Sequence, residues 1–336
     1  MRIAILGAGA IGAYVGASLA RGGADVSLIA RGEHLAAMRR SGVTVHSPRG
    51  DFTANPPATE DPSEIGQVDI VFLGLKAFQY ATAGPLLEPL LHSTTAVVAA
   101  QNGIPWWYFH RHGGPHAGRR IEAVDPGGVV SSVIPVERAI GCVAYPAVEI
   151  EAPGVLRHIE GTRFSIGEPD GMISERSRRF SEAMVAGGLK CPIEPDIRKD
   201  IWVKLMGNVV FNPISVLTRA TLAGMCEFPP TREVAARVMA ETIAVARALG
   251  TDPEIEIERR LNGAQQVGDH KTSTLQDLER GRPLEVSALV TAVIELADLA
   301  GIDVPHLRTI GATTELLALT LGLREPRADD CGTPAA

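Results

Sequence analysis

A short aliphatic run that breaks into closely spaced glycines constrains this chain more than any other feature. After Arg2, residues Ile3-Ala4-Ile5-Leu6 carry no charge and read as a buried strand. Gly7-Ala8-Gly9-Ala10-Ile11-Gly12 follows at once, in the pattern G-x-G-x-x-G. A helical pattern then runs from Ala10 to about Arg21 and stops at Gly22-Gly23, and Asp25 to Ala30 reads as a second strand. Strand, glycine turn, helix and strand in that order are the context a dinucleotide fingerprint requires. Gly7 allows the tight turn, Gly9 lets backbone approach a pyrophosphate, and Gly12 lets the helix lie close on the strand. The helix N-terminus offers N–H groups and partial positive charge to phosphates. Gly7, Gly9, Ala10, Ile11 and Gly12 are therefore the candidate phosphate-binding residues. A secretory signal is the rival for so apolar an N-terminus, but the glycine spacing and the strand–helix–strand order argue against it.

The end of the second strand selects between cofactors. NAD enzymes place a carboxylate there, about 20 residues past the glycines, to hold the ribose 2′-OH. This chain has Ala30-Arg31-Gly32. A guanidinium can form a bidentate, charge-assisted pair with a 2′-phosphate, so Arg31 points to NADP. The competing reading is a solvated loop arginine.

The 336 residues suffice for two domains with real cores, and 45% hydrophobic with 21% charged residues fits a globular protein. A net charge of −7 disfavours nucleic acid or an anionic membrane as the main partner. No stretch is expected to reach the apolar length that spans a bilayer. Cys142, Cys191, Cys226 and Cys331 are far apart and read as core residues or free thiols of a reducing, cytoplasmic compartment.

Further strands are expected at Val43–His46, Asp69–Leu75 and Thr95–Ala100, with helices at Glu33–Arg40 and around Leu86, Leu87, Leu90 and Leu91. Such alternation argues a parallel, doubly wound α/β sheet of Rossmann type. Gly7, Arg31, Lys76 and Asn102 all fall at strand carboxyl ends, where such sheets bind ligands. From Arg111 to Val129 the chain is rich in Gly, His and Arg and reads as a loop. His110, His112 and His116 lack Cys or acidic partners at metal-ligand spacing, so no metal is expected. Short strands follow at 139–150, 155–159 and 163–167, extending one edge of the sheet. Beyond Pro192–Pro195 helices dominate, at 201–211, 231–249, 286–300 and 307–321. The expected domains are 1–195, NADP-binding, and 196–323, all-helical and carrying substrate and catalysis. A loose tail is expected over 324–336.

Lys204, Asn208 and Asn212 recur at i, i+4 and i+8 on an otherwise apolar helix. One cation and two amides on one face should meet a polar cleft, since buried amides without partners are costly. The bland alternative is a snorkelling lysine with two capping amides.

With this stretch the chain resembles the ketopantoate reductase family, the NADPH-dependent 2-dehydropantoate 2-reductases. The glycine motif with Arg31 is similar, as are Gly74-Leu75-Lys76-Ala77-Phe78-Gln79 and Gln101-Asn102-Gly103. So are Trp202 to Pro213 and Ser273-Thr274-Leu275-Gln276-Asp277 followed by Glu285. These motifs come in family order over about residues 1–310. The resemblance implies a cofactor lysine at Lys76 and an asparagine beside the nicotinamide at Asn102. It implies Lys204 as general acid, consistent with an ammonium stabilising and protonating a developing oxyanion. Asn102, Asn208, Asn212 and Ser273 would bind substrate, and Glu285 would take its hydroxyl or orient Lys204. Against this, Glu285 could serve only the dipole of the helix after it, and Ser273 only a cap, since Thr274-x-x-Asp277 resembles a capping box.

Two departures bear on substrate. Ser287 stands where the family often has an aspartate, and the bulky run Ile104-Pro105-Trp106-Trp107-Tyr108 follows Asn102-Gly103. Three adjacent aromatics are either core and interface or a pocket wall. The expected activity is NADPH-dependent reduction of a 2-oxo acid, with 2-dehydropantoate foremost. The alternatives are a larger 2-oxo acid on the same fold and an NADPH-sensing regulator without turnover. The expected partners are the small 2-oxo acid and, at most, a second copy of the chain in a homodimer.

Overall fold

The computed structural model describes residues 1–326. The expected tail from 327 onward, Cys331 included, lies outside the described residues. Contacts divide the chain into two compact units. The first comprises 1–101, 110–112 and 130–197; the second comprises 102–109, 113–129 and 198 onward.

The first unit opens with β1 (Arg2–Leu6), α1 (Ala10–Arg21), β2 (Asp25–Ile29) and α2 (Gly32–Ser41). Then come β3 (Val43–His46), β4 (Phe52–Ala54), β5 (Ala58–Thr59), β6 (Ile70–Leu73), α3 (Gly84–Leu87) and β7 (Ala96–Ala99). After α4 (Val129–Val133) it closes with β8 (Ala139–Ala144), β9 (Ala147–Ala152), β10 (Val155–Glu160), β11 (Phe164–Gly167) and α5 (Glu175–Ala186). Seven strands form one sheet in the order β11-β8-β7-β6-β1-β2-β5, parallel except for β11 against β8. The chain first winds outward from β1 to β2 and β5, then returns to β6 on the other side. That reversal sits at the end of β1, the place where doubly wound sheets hold ligands. Every residue of β6, β7, β8 and β11 is buried, which is why these strands read as continuous apolar runs. Phe180 of α5 stacks on Phe72 with ring centroids 6.3 Å apart, and Phe164 meets Phe72 edge-on at 6.4 Å. Each such fully buried ring contributes roughly 1.5–3 kcal/mol.

Two expectations for this unit are corrected. The strands after residue 139 do not all extend the main sheet. β9 and β10 join β3 and β4 in a separate four-stranded sheet, ordered β4-β3-β10-β9. β9 has no buried residue and β10 alternates, so they suit a sheet wetted on one face, whereas the wholly buried β8 and β11 suit the core sheet. The helix expected around Leu86–Leu91 is broken into α3 and a 3₁₀ turn at Glu88–Leu90. Pro89 has no N–H with which to continue the ladder.

The second unit contains α6 (Ile197–Thr218), α7 (Leu222–Glu227), α8 (Pro229–Ala248), α9 (Ile257–Gln266) and α10 (Ser273–Glu279). It ends with a π turn at Ser287–Thr291 running into α11 (Ala292–Ala300), and α12 (Pro305–Thr320). α8 packs against α9, α11 and α12. α6 is twice the expected length and continues through Pro213. Ser215 Oγ donates to the Asn212 carbonyl at 2.8 Å beside this proline. Contrary to the sequence expectation, α6 is long and apolar enough to cross a membrane by length and composition. Protein covers 67% of its most apolar window, and it carries the Lys204–Asn208–Asn212 stripe.

A single boundary near residue 195 does not describe residues 102–109 and 113–129, which pack with these helices. Ile104 N–H donates to the Ala288 carbonyl at 2.9 Å, and Arg198 Nε donates to the Tyr108 carbonyl at 2.8 Å. The Glu295 carboxylate accepts from the backbone N–H groups of Glu122 and Ala123, both at 2.8 Å. The expected tail is also corrected at its start: the Glu325 carboxylate accepts hydrogen bonds from Val286 and Ser287.

Candidate active site

In the first unit the β1–α1 turn has the geometry a phosphate cradle needs. Gly7 has φ +91°, and a Cβ there would meet Leu75 Cδ2 at 2.6 Å. A Cβ on Gly12 would lie 2.2 Å from the Gly7 carbonyl oxygen, so helix and turn touch through backbone. At Gly9 a Cβ would meet nothing within 4 Å, leaving the approach to the helix end open. Gly9 caps α1 without a side chain, so the N–H groups of the first turn, at Ala10, Ile11 and Gly12, have no side-chain acceptor there. These residues fit a dinucleotide pyrophosphate. Arg31 is exposed at the N-cap of α2, directly after β2. Lys76 follows β6; its N–H donates to Gln79 Oε1 at 2.9 Å, and its Nζ lies 5.9 Å from the Phe78 ring centroid.

In the second unit the stripe on α6 is brought to Asn102. Lys204 Nζ donates to Asn102 Oδ1 at 2.7 Å, across 102 positions of sequence. Asn208 is half-buried. Asn212 is 5% exposed, and its Nδ2 has no hydrogen-bond partner among the described residues. A buried amide left this way costs roughly 1–3 kcal/mol, which a bound acceptor would recover. Glu285 is buried just ahead of the π turn.

Ser273 is exposed as the first residue of α10 and does not cap it. The cap is Thr272, whose Oγ1 accepts from Leu275 N–H at 3.2 Å. The reading of Thr274-x-x-Asp277 as a capping box is therefore corrected: the helix starts two residues earlier, and Thr274 Oγ1 is buried without a partner among the described residues. Thr272 Oγ1 also pairs with Ser215 Oγ at 2.6 Å, tying the start of α10 to α6.

Three residues of this half escaped the sequence reading. Ala288 offers the carbonyl on which the Asn102 loop docks: Gly103 has φ +83°, and a Cβ there would lie 2.2 Å from that oxygen. Arg260 of α9 lies against Gly207, where a Cβ would come within 2.9 Å of its Nη2. A glycine inside an apolar helix was the available signal for this close approach. Glu325, the third, lay beyond any apolar pattern. Burial pushes its carboxyl up to about 7; donors at Ser287 and Val286 oppose that shift, and the like charge of Glu285 adds to it.

The aromatic run is core. Trp106, Trp107, Tyr108 and Phe109 are each at most 3% exposed. Trp202 Nε1 donates to Tyr108 Oη at 2.8 Å, with the two rings edge to face at 6.2 Å. His116 packs tilted against Phe109, and among the described residues no three His, Cys, Asp or Glu side chains gather as a metal site would need. A cavity of about 380 Å³ lined by Phe109, Arg120, Ile121 and Glu295 contains none of the candidate residues. Cys142, Cys191 and Cys226 are buried and form no disulfide among the described residues; burial pushes the Cys191 thiol up to about 12.

Two family models match the chain. Residues 3–171 match the family model for ketopantoate reductase PanE/ApbA, and residues 196–317 match its C-terminal model. A 2-dehydropantoate 2-reductase of Mesorhizobium japonicum is 48% identical over 323 residues, covering 96% of this chain and 99% of that protein. A crystal structure from Ralstonia solanacearum MolK2, assigned as a ketopantoate reductase, superposes with a TM-score of 0.89 at 37% identity. It covers 96% of this chain and 99% of its own. The 2-dehydropantoate 2-reductase of Geobacter metallireducens GS-15 gives 0.82 at 29% identity, covering 94% and 100%. Glycine turn, helical stripe and matched sequence thus lead to one place: the chain belongs to the ketopantoate reductase family and is, with that family, a nicotinamide-dependent oxidoreductase.

Proposed function

We propose that this chain reduces 2-dehydropantoate to pantoate with NADPH, with Lys204 as the general acid. The observation that carries the reading is Lys204 Nζ held by Asn102 Oδ1 at 2.7 Å, in a stretch of α6 whose other polar side chains from 204 to 212 are Asn208 and Asn212. When bound, the reduced nicotinamide supplies the hydride to the carbonyl carbon. Negative charge then develops on the carbonyl oxygen; the Lys204 ammonium stabilises it and donates the proton. Asn102 orients that ammonium. Asn212 Nδ2, buried without a partner among the described residues, and half-buried Asn208 supply amide donors for the substrate. Ser273 stands exposed for a substrate oxygen, and Glu285 takes the substrate hydroxyl or orients Lys204. Arg260 lies beside Gly207, itself three residues on from Lys204, and suits a substrate that carries a carboxylate.

Gly7, Gly9, Ala10, Ile11, Gly12 and Lys76 hold the nucleotide, and Arg31 selects the 2′-phosphate. The bulky aromatic run was the sequence's reason to consider a larger acid; as core it lends that reading no support. Buried thiols suit a cytoplasmic setting. The test is the loss of reduced-nicotinamide absorbance with 2-dehydropantoate against a panel of 2-oxo acids, for the native chain and for Lys204→Ala. Lys204→Ala should lower kcat by about 10²- to 10⁴-fold with little change in NADPH affinity. Near-normal turnover of that variant at saturating substrate would remove Lys204 from the mechanism.

A further inference from the structure

We propose that Glu325 is a positioning residue of the catalytic half: its carboxylate, returning from beyond the last helix, holds the π turn that follows Glu285 and on which the Asn102 loop is docked. The π turn has no side-chain cap of its own. Glu325 supplies one from 38 and 39 positions away. Its Oε1 accepts from Val286 N–H at 2.9 Å and from Ser287 N–H at 3.3 Å. Its Oε2 accepts from Ser287 N–H at 3.2 Å and from Ser287 Oγ. Leu284 N–H, bonded to the Leu323 carbonyl at 2.9 Å, brings the two segments side by side. An anion at these N–H groups, which open a helical turn, is where helix-end electrostatics favour it.

What the cap holds is functional on both sides. Immediately before it is Glu285. One residue after Ser287 is Ala288, whose carbonyl accepts from Ile104 N–H at 2.9 Å and against which Gly103 is packed. Asn102, the next residue back, accepts from Lys204. Glu325 thus holds the backbone next to Glu285 and is linked to Lys204 through Ala288, the Ile104 N–H and Asn102. The departure noted in the sequence gains a reason here: Ser287 is a donor to Glu325, whereas an aspartate would set a second anion against it.

The facing charged group is Glu285, and Arg324 precedes Glu325 on its own segment. Burial and Glu285 raise the carboxyl to about 7, so the cap exchanges its proton near neutrality. The ionised form accepts from every donor present; protonation spends one oxygen on a hydrogen and weakens the cap. Activity supported by the cap is therefore lost as pH falls through about 7.

The inference rests on the reading of Lys204 and Glu285 given above, and its test separates the two. Full-length native protein, Glu325→Gln, Ser287→Ala, Glu285→Gln and Lys204→Ala are assayed with NADPH and 2-dehydropantoate from about pH 5.5 to 9. Glu325→Gln should lower kcat/KM for the oxo acid about 10-fold at alkaline pH, leave the KM for NADPH within about 2-fold, and abolish the limb near neutrality. Ser287→Ala, which removes one donor and keeps the fold-bearing backbone contacts, should show a smaller loss of about 3-fold with the limb retained. The inference is overturned if Glu325→Gln matches the native pH profile and oxo-acid KM, or lowers only the melting temperature. Should Glu325→Gln not fold, an unchanged Ser287→Ala overturns it as well. Near-native turnover of Lys204→Ala and Glu285→Gln would instead sink the underlying catalytic reading, and this inference with it.

Discussion

Gly103→Ala tests whether the Asn102 loop is set by its seat on the π turn. The glycine has φ +83°, a conformation that costs an L-residue about 1–2 kcal/mol. The new methyl would also lie 2.2 Å from the Ala288 oxygen and 2.5 Å from its carbon. Both are backbone atoms, so no side chain can swing aside. Relief requires the loop to lift, breaking the 2.9 Å bond from Ile104 N–H. Losing that bond adds roughly 1 kcal/mol, more if either group stays buried and unpaired. The total is about 2–4 kcal/mol, concentrated at one loop. Gly268→Ala is the matched control: φ is +82°, but nothing lies within 4 Å of the new methyl, so only the conformational cost applies. Two units need not unfold as one, so local amide exchange at Ile104 is a better readout than a global midpoint. Ile104 should lose protection in Gly103→Ala and keep it in Gly268→Ala. Asn102 would move with the loop, and a shift of about 1 Å at a catalytic group costs about 10²-fold in kcat. Native protection at Ile104 together with kcat within about 2-fold of native would refute the docking argument.

Arg31→Ala should weaken NADPH about 10- to 100-fold while leaving NADH nearly unchanged, because it removes a charge-assisted pair only one cofactor can make; equal weakening of both, read by fluorescence titration, would exclude Arg31 as the selector. Trp106→Ala, at a site 3% exposed, should cost about 3–5 kcal/mol of stability and leave the ranking of 2-oxo acids unaltered. A changed ranking with an unchanged melting temperature would return Trp106 to the pocket wall. Gly207→Ala should alter stability by no more than about 1 kcal/mol, since helix propensity gains what displacing the far end of Arg260 loses. The same variant should raise the oxo-acid KM about 10-fold if Arg260 meets the carboxylate, and an unchanged KM would detach Arg260 from the substrate.

The parts legible in sequence are those whose partners lie within a few residues. The turn from β1 into α1 depends on Gly7, Gly9 and Gly12, and their order is enough to say which backbone must come close to which. The stripe of Lys204, Asn208 and Asn212 follows from helical spacing alone, as does the burial of strands that read as unbroken apolar runs. Family motifs in order carried the assignment further, since several weak matches at consistent positions exclude most other folds. Periodicity failed where a local rule had two solutions. β10 was recognisable as a strand, but β9 was merged with β8 in one expected strand over 139–150, and only the pairing of β10 with β3 and β9 placed them in a second sheet. Near the start of α10 the sequence offered Ser273 and Thr274 as caps; the cap is Thr272, whose Oγ1 also contacts Ser215 Oγ.

What the sequence determined by itself was local: which segments are strand or helix, which turn can cradle a phosphate, and which side chains share a helix face. Tertiary structure alone decided that Asn102 holds Lys204 across 102 positions, that Ala288 seats the loop between them, and that Glu325 closes the π turn. The reason is physical. A local element is specified by steric and hydrogen-bonding rules that act over one turn or one strand, and these repeat in the sequence as a period. A contact between distant segments leaves no period, because it depends on which buried surfaces meet once the chain has closed its loops.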